Sequence, residues 1–266
     1  MRVLDLLEEK FGKPTRVIQY GQSGGGLVAL GMAEVRPDRV DGVVSACFQI
    51  PIPNHNMRVD TFFALKALIA PDSDLQIVDV PEDTNAIEAA WHEVVTAAQQ
   101  TPEGRARIAL AMTLGQLASW NDASRPQPDP RDVHAVQEEM FHSLGRVINQ
   151  NFSTRFMMEQ AGNGRMTWTT GIDYKEFFNN GDREQKRVVR ALYREAGLNL
   201  QADLAQINQA PRIEPDLDVI DGFWRLSPRT LNGDPKVPVF HMGQIGDDQT
   251  SQVQSRAMRQ GCGLSI

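Results

Sequence analysis

Cysteine is nearly absent from this chain: 266 residues hold two, Cys47 and Cys262. Two can pair only if the fold brings them together, and they are too few to define a disulfide framework. Cys47 ends a strand-like run and reads as a small buried hydrophobe. An excess of basic charge is missing too. The formal charge is -7 and the sequence pI is about 5.3, which speaks against nucleic acid as an electrostatic partner. No apolar run approaches the ~20 residues of a membrane helix. The first ten residues, MRVLDLLEEK, form an amphipathic helix pattern without the apolar core of a signal peptide. The expectation is a soluble chain with no membrane partner. Histidine is scarce as well, with five residues and none beyond His241.

What is present is the run Tyr20-Gly21-Gln22-Ser23-Gly24-Gly25-Gly26, which fits Gly-x-Ser-x-Gly. With Gly and Ser each near ~7% of residues, the bare pattern arises by accident in roughly one chain in ten of this length, so its surroundings decide. Residues 15–20 read as a short buried strand, residues 27–34 as a helix, and residues 40–47 as a second strand. Turning from strand to helix within about two residues forces the central residue into a strained backbone. Side chains at Gly21 and Gly25 are expected to collide with neighbouring elements. Such a turn lifts the Ser23 hydroxyl above the sheet edge and directs the Gly24 N–H to a helix N-terminus, where negative charge is favoured.

Gly24, Gly26 and Ala29 also fit a Gly-x-Gly-x-x-Ala dinucleotide loop. That reading requires an acidic residue at the end of the next strand, where the sequence has Val44-Ser45-Ala46-Cys47-Phe48-Gln49. No cofactor and no metal are therefore expected.

The first fifty residues have the strand–helix rhythm of a parallel α/β sheet. Helical patterns then follow at 61–70, 85–100, 104–119, 132–160, 174–179, 183–196 and 200–209, separated by joints bearing Pro or Gly. Residues 125–130, RPQPDP, read as a stiff connector, and residues 168–171 as a turn or short extended piece. Residues 237–242 restore a strand, followed by a polar loop containing Gly246, Asp247 and Asp248 and a helical pattern at 251–260. The carboxyl end of a parallel sheet is where functional groups gather.

Together the elbow segment at 16–26, the approach Pro37-Asp38-Arg39-Val40 to the next strand, and Val237-Pro238-Val239-Phe240-His241-Met242 with Gly246-Asp247 resemble the α/β-hydrolase family. Within it the chain is similar to serine hydrolases with a large helical cap. The resemblance implies an α/β fold: a partial α/β-hydrolase sheet, about the fifth to seventh strands, with an inserted, mostly helical cap. Residues 1–50 and 236–266 would form the core and 51–235 the cap. It implies Ser23 as nucleophile, Gly24 N–H as one oxyanion donor, Asp247 as the triad acid, and a small-molecule ester or amide as substrate.

Two departures stand against that pattern. The family's catalytic histidine follows its acid, yet residues 248–266 contain none, and the first four strands have no counterpart. The chain is expected to be a fragment truncated at both ends, with negligible turnover, an unpaired sheet edge and dependence on a partner. His55 is the candidate replacement base, His241 lies within a strand, and His92, His134 and His142 fall on helix surfaces. Trp91, Trp120, Trp168, Tyr174, Phe177 and Phe178 either pack the helical lobe or line a pocket. The alternative function is a non-catalytic binding or scaffold protein on a hydrolase-like core.

Overall fold

The computed structural model describes residues 2–48, 51–220 and 234–243. They fall into two compact units, the first holding residues up to 48 with 234–243 and the second holding 51–220. Asp247, the polar loop around it, the helical pattern at 251–260 and Cys262 lie outside the described residues.

The first unit is a mixed α/β layer. Helix α1 (Arg2–Phe11) precedes strand β1 (Ile18–Gln22), helix α2 (Gly24–Val35), strand β2 (Gly42–Ala46) and strand β3 (Val239–Met242). The sheet order is β1-β2-β3 and both pairings are parallel. Tyr20 stands beside Val44, and Val44 beside Phe240. One face is closed by α2, where Ala29, Ala33, Val40 and Val43 form a small core with Val17, Met32, Val237 and Val239.

Each strand begins later than its hydrophobic pattern, for a local reason. Val17 donates its N–H to the Asp41 carboxylate at 2.7 Å and accepts from Asp41 N at 2.8 Å, so that pair closes the sheet's entrance before the ladder begins. Pro238 lacks an N–H and only accepts, from Val43 N at 2.9 Å. The expectation that β1 is buried is not met. Ile18 is 57% and Tyr20 61% exposed, and Phe240 shares their row at 61%. Among the described residues, α2 covers one face alone, whereas parallel sheets ordinarily bury both. Among the described residues β1 has a ladder partner on one side only. The apolar residues Val3, Leu6, Leu7 and Phe11 of α1 are exposed as well.

In its described residues the second unit is all-helical, with α3 (Pro51–Ile69), α4 (Asn85–Gln99), α5 (Pro102–Leu114), α6 (Val133–Gly162), α7 (Tyr174–Asn180), α8 (Arg183–Glu195) and α9 (Leu200–Gln209). Helix α5 is its centre. Ala106 and the run from Ile108 to Met112 are fully buried, which is how a helix apolar on every side must sit. A Cβ added at Gly115 would meet Thr61 Oγ1 at 1.7 Å and Met57 O at 2.6 Å, so α3 crosses the end of α5 nearly backbone to backbone. Starts are set by caps. Thr101 accepts from Gly104 N, Asp132 from His134 N and Ala135 N, Asp173 from Lys175 N and Glu176 N, Asp182 from Glu184 N and Gln185 N, and Asn199 from Gln201 N and Ala202 N. No described helix is long and apolar enough to cross a membrane.

Candidate active site

The turn between β1 and α2 holds Ser23 at φ 55° and ψ -124°. A non-glycine residue there carries strain of about 1–3 kcal/mol that the surroundings must offset. They do so through the backbone. Ser23 N donates to Ala46 O at 2.9 Å, fastening the turn to the carboxyl end of β2, and Gly26 N donates to Ser23 O at 2.9 Å, starting the helix. The Ser45 hydroxyl donates to Gly26 O at 3.1 Å and locks strand to helix a second time.

The steric roles of the glycines differ from the expectation. A Cβ at Gly21 would lie 1.9 Å from Gly25 O, so Gly21 is required. A Cβ at Gly25 would meet nothing within 4 Å. Gly26 is the second crowded position, its hypothetical Cβ 3.0 Å from Ala46 O and from Phe48 Cβ. Helical phase is the reason: position 26 faces β2, while the exposed position 25 points away from it.

Ser23 is half-buried and its hydroxyl makes no cap on α2. Gly24, the first residue of α2, is exposed, and its N–H has no carbonyl of its own helix to bond. Oxygen and donor therefore stand at one helix N-terminus, where the backbone dipole favours developing negative charge. Asp247, the expected acid, lies outside the described residues.

The histidines separate by environment. In β3, His241 pairs with Ser45 in the ladder, and its ring meets Phe48 edge-on at 4.9 Å. Burial lowers its pKa. In the helical unit, His55 is buried, and burial first, then the charges of Arg155 and Arg58, lower its pKa to about 3. It is thus a poor proton acceptor at neutral pH, which counts against it as a candidate base. The other three stand on helix surfaces: His92 against Asn149 at 2.6 Å, His134 with Glu195 at 3.2 Å, and His142 with Glu138 at 3.4 Å. Of the aromatics, Trp91, Tyr174 and Phe178 are core residues. Trp91 meets Phe62 edge-on, and Tyr174 stacks on Phe63.

Buried polar residues lie inside the second unit; the sequence reading passed over those on α6 and took Asp60 as a weaker alternative acid. On α6, Asn151, Arg155 and Glu159 are buried at four-residue spacing. Arg155 donates to Glu159 Oε1 at 3.2 Å and to Thr167 Oγ1 at 3.0 Å, and it reaches His55 O at 3.5 Å. On α3, Asp60 accepts from the Tyr174 hydroxyl at 2.7 Å, and burial raises its pKa to about 7. For the α6 residues the signal available in the sequence was the spacing: they occupy turns where Met140, Leu144, Val147 and Ile148 mark the inward face.

No protein-family model matches this chain. It is 40% identical, over 268 aligned positions, to a protein of Xanthobacter agilis named o-phthalyl amidase; the match takes in 93% of this chain and 59% of the length of that relative.

Proposed function

We propose that this chain carries the nucleophile of a serine amidase of the α/β-hydrolase type, with the helices between β2 and β3 forming its cap. The observation that carries the reading is Ser23 itself: a serine held at positive φ between a parallel strand and a helix, its hydroxyl not engaged in capping. The name of the Xanthobacter relative favours amides over esters. On this reading Ser23 Oγ attacks the carbonyl carbon and gives its proton to a base. The oxygen of the tetrahedral intermediate accepts from Gly24 N–H, the amine leaves with the proton, and water cleaves the acyl-serine. Asp247 is assigned to orient an imidazole. Residues 248–266 contain no histidine, so this reading leaves the base unassigned.

The turn can be tested without the base. A thiol at a helix N-terminus has a lowered pKa and is a nucleophile in its own right. In Ser23→Cys, residue 23 should take one acyl group from p-nitrophenyl acetate, about tenfold or more faster than a free thiol does, as followed by intact mass and peptide mapping. Acylation no faster than at a free thiol would refute the assignment of Ser23. Aniline release from o-phthalyl anilide by the unsubstituted chain, lost in Ser23→Ala, would instead overturn the expectation of inactivity and reveal a base within the chain.

A further inference from the structure

The polar stripe of α6 has more hydrogen-bonding capacity than the fold uses. Asn151 and Arg155 stand one turn apart on one helix face, at 0% and 1% exposure. The guanidinium of Arg155 engages Glu159 and Thr167 through Nη1 and reaches the His55 carbonyl through Nη2, while its Nε has no partner. Neither the Nδ2 nor the Oδ1 of Asn151 has one, nor has Nδ1 of His55, a residue only 4% exposed. Buried polar groups are almost always hydrogen-bonded, so orphan atoms on three residues of two packed helices call for an occupant.

Their chemistry selects it. Arg155 Nε and Asn151 Nδ2 can only donate, His55 Nδ1 can donate in one tautomer, and Asn151 Oδ1 is the one obligate acceptor. Two guanidinium groups act on His55, those of Arg155 and Arg58. Glu159 pairs with Arg155 through Nη1 at 3.2 Å and leaves its Nε edge unengaged. A guanidinium edge beside an amide donor matches a planar carboxylate better than a spherical anion. We propose that Arg155, Asn151 and His55 form a binding site in the helical unit for the carboxylate group of a small organic ligand. Arg155 Nε, Asn151 Nδ2 and His55 Nδ1 donate to it. Ser23 plays no part in the proposal.

The probe is benzoate, titrated into the 266-residue chain by calorimetry, with benzamide as its uncharged counterpart. Benzoate is expected to bind at millimolar concentrations or below and benzamide about tenfold more weakly. The Arg155 Nε–H resonance, assigned by its disappearance in Arg155→Lys, is expected to move as benzoate binds. Replacing Asn151 by Leu keeps the branched shape and removes two orphan atoms. It should raise the melting temperature of the ligand-free chain while weakening benzoate about tenfold. Ser23→Ala should bind as the unsubstituted chain does, so failure of the nucleophile assignment leaves this result intact. The proposal is overturned if benzoate does not bind, if benzamide binds equally well, or if Asn151→Leu retains full affinity, the last pointing to buried water as the occupant. Should Asn151→Leu fail to fold, an Arg155 Nε–H signal that benzoate does not move overturns it as well.

Discussion

Asp60 makes the stability of the helical unit depend on pH in a direction opposite to that of most carboxylates. It is 3% exposed, and its pKa is raised from 3.8 to about 7, chiefly by burial; the Tyr174 hydroxyl and the charge of Arg212 act against the rise. The folded state therefore keeps a proton that the unfolded chain releases above pH 3.8. The associated stability is complete below that value and is lost as the pH rises through about 7. Over a span of about three pH units, at about 1.4 kcal/mol each, the loss amounts to roughly 4 kcal/mol. His55 works the other way: its pKa falls from 6.5 to about 3, so its contribution is complete above 6.5 and is lost as the pH falls. Between pH 4 and 6.5 the two slopes nearly cancel, and the unsubstituted chain will look insensitive to pH there. The variant Asp60→Asn separates them. Asparagine still accepts from Tyr174 but cannot ionise, so its stability relative to the parent should rise by roughly 4 kcal/mol from pH 4 to pH 8. Urea unfolding followed by tryptophan fluorescence reads this directly, since Trp91 is buried in the same core. A difference constant to within about 1 kcal/mol over that range would refute the reasoning.

Other expectations follow from the close contacts. Gly21→Ala places a Cβ 1.9 Å from Gly25 O and should destabilise the turn by about 3 kcal/mol or more. Gly25→Ala meets nothing and should be neutral or stabilise by up to ~1 kcal/mol. Hydrogen exchange of residues 17–48 distinguishes the two, and equal exchange rates would refute the contrast. Gly115→Ala, facing Thr61 Oγ1 at 1.7 Å, should lower the melting temperature of the helical unit sharply, whereas Gly171→Ser, with open space but φ +77°, should cost only about 1 kcal/mol. Replacing the exposed row residues Tyr20 and Phe240 by Glu should leave the melting temperature nearly unchanged and reduce self-association in sedimentation. A large loss of stability would show that the row is packed.

Much of the helical unit could be read along the chain because its signals are local. Leu200–Gln209 starts after its capping Asn199, Tyr174–Asn180 after Asp173 and Arg183–Glu195 after Asp182, so side chain and helix start are adjacent in sequence. Helix α3 starts at Pro51, ahead of the pattern read at 61–70, and a first helical turn has no N–H bonds for proline to remove. Strand ends were displaced by partners far away in sequence, such as Asp41 acting on Val17. At the candidate site the motif located Ser23 and Gly24. It could not tell which glycine was sterically required, because that depends on the phase of α2 against β2.

The sequence by itself determined that a serine stands between a strand and a helix, and that a long helical stretch separates two strands of one kind. Those statements rest on patterns only a few residues long. Tertiary structure decided what those residues experience. It put Ser23 at φ 55° by tying its N–H to Ala46, left Tyr20 exposed on an uncovered sheet face, and turned Asn151, Arg155 and Asp60 into the interior. A polar side chain at a helical position is the same letter whether it faces water or a packed neighbour. Only the neighbour, brought there by residues a hundred positions away, sets its charge state and leaves its donors without partners.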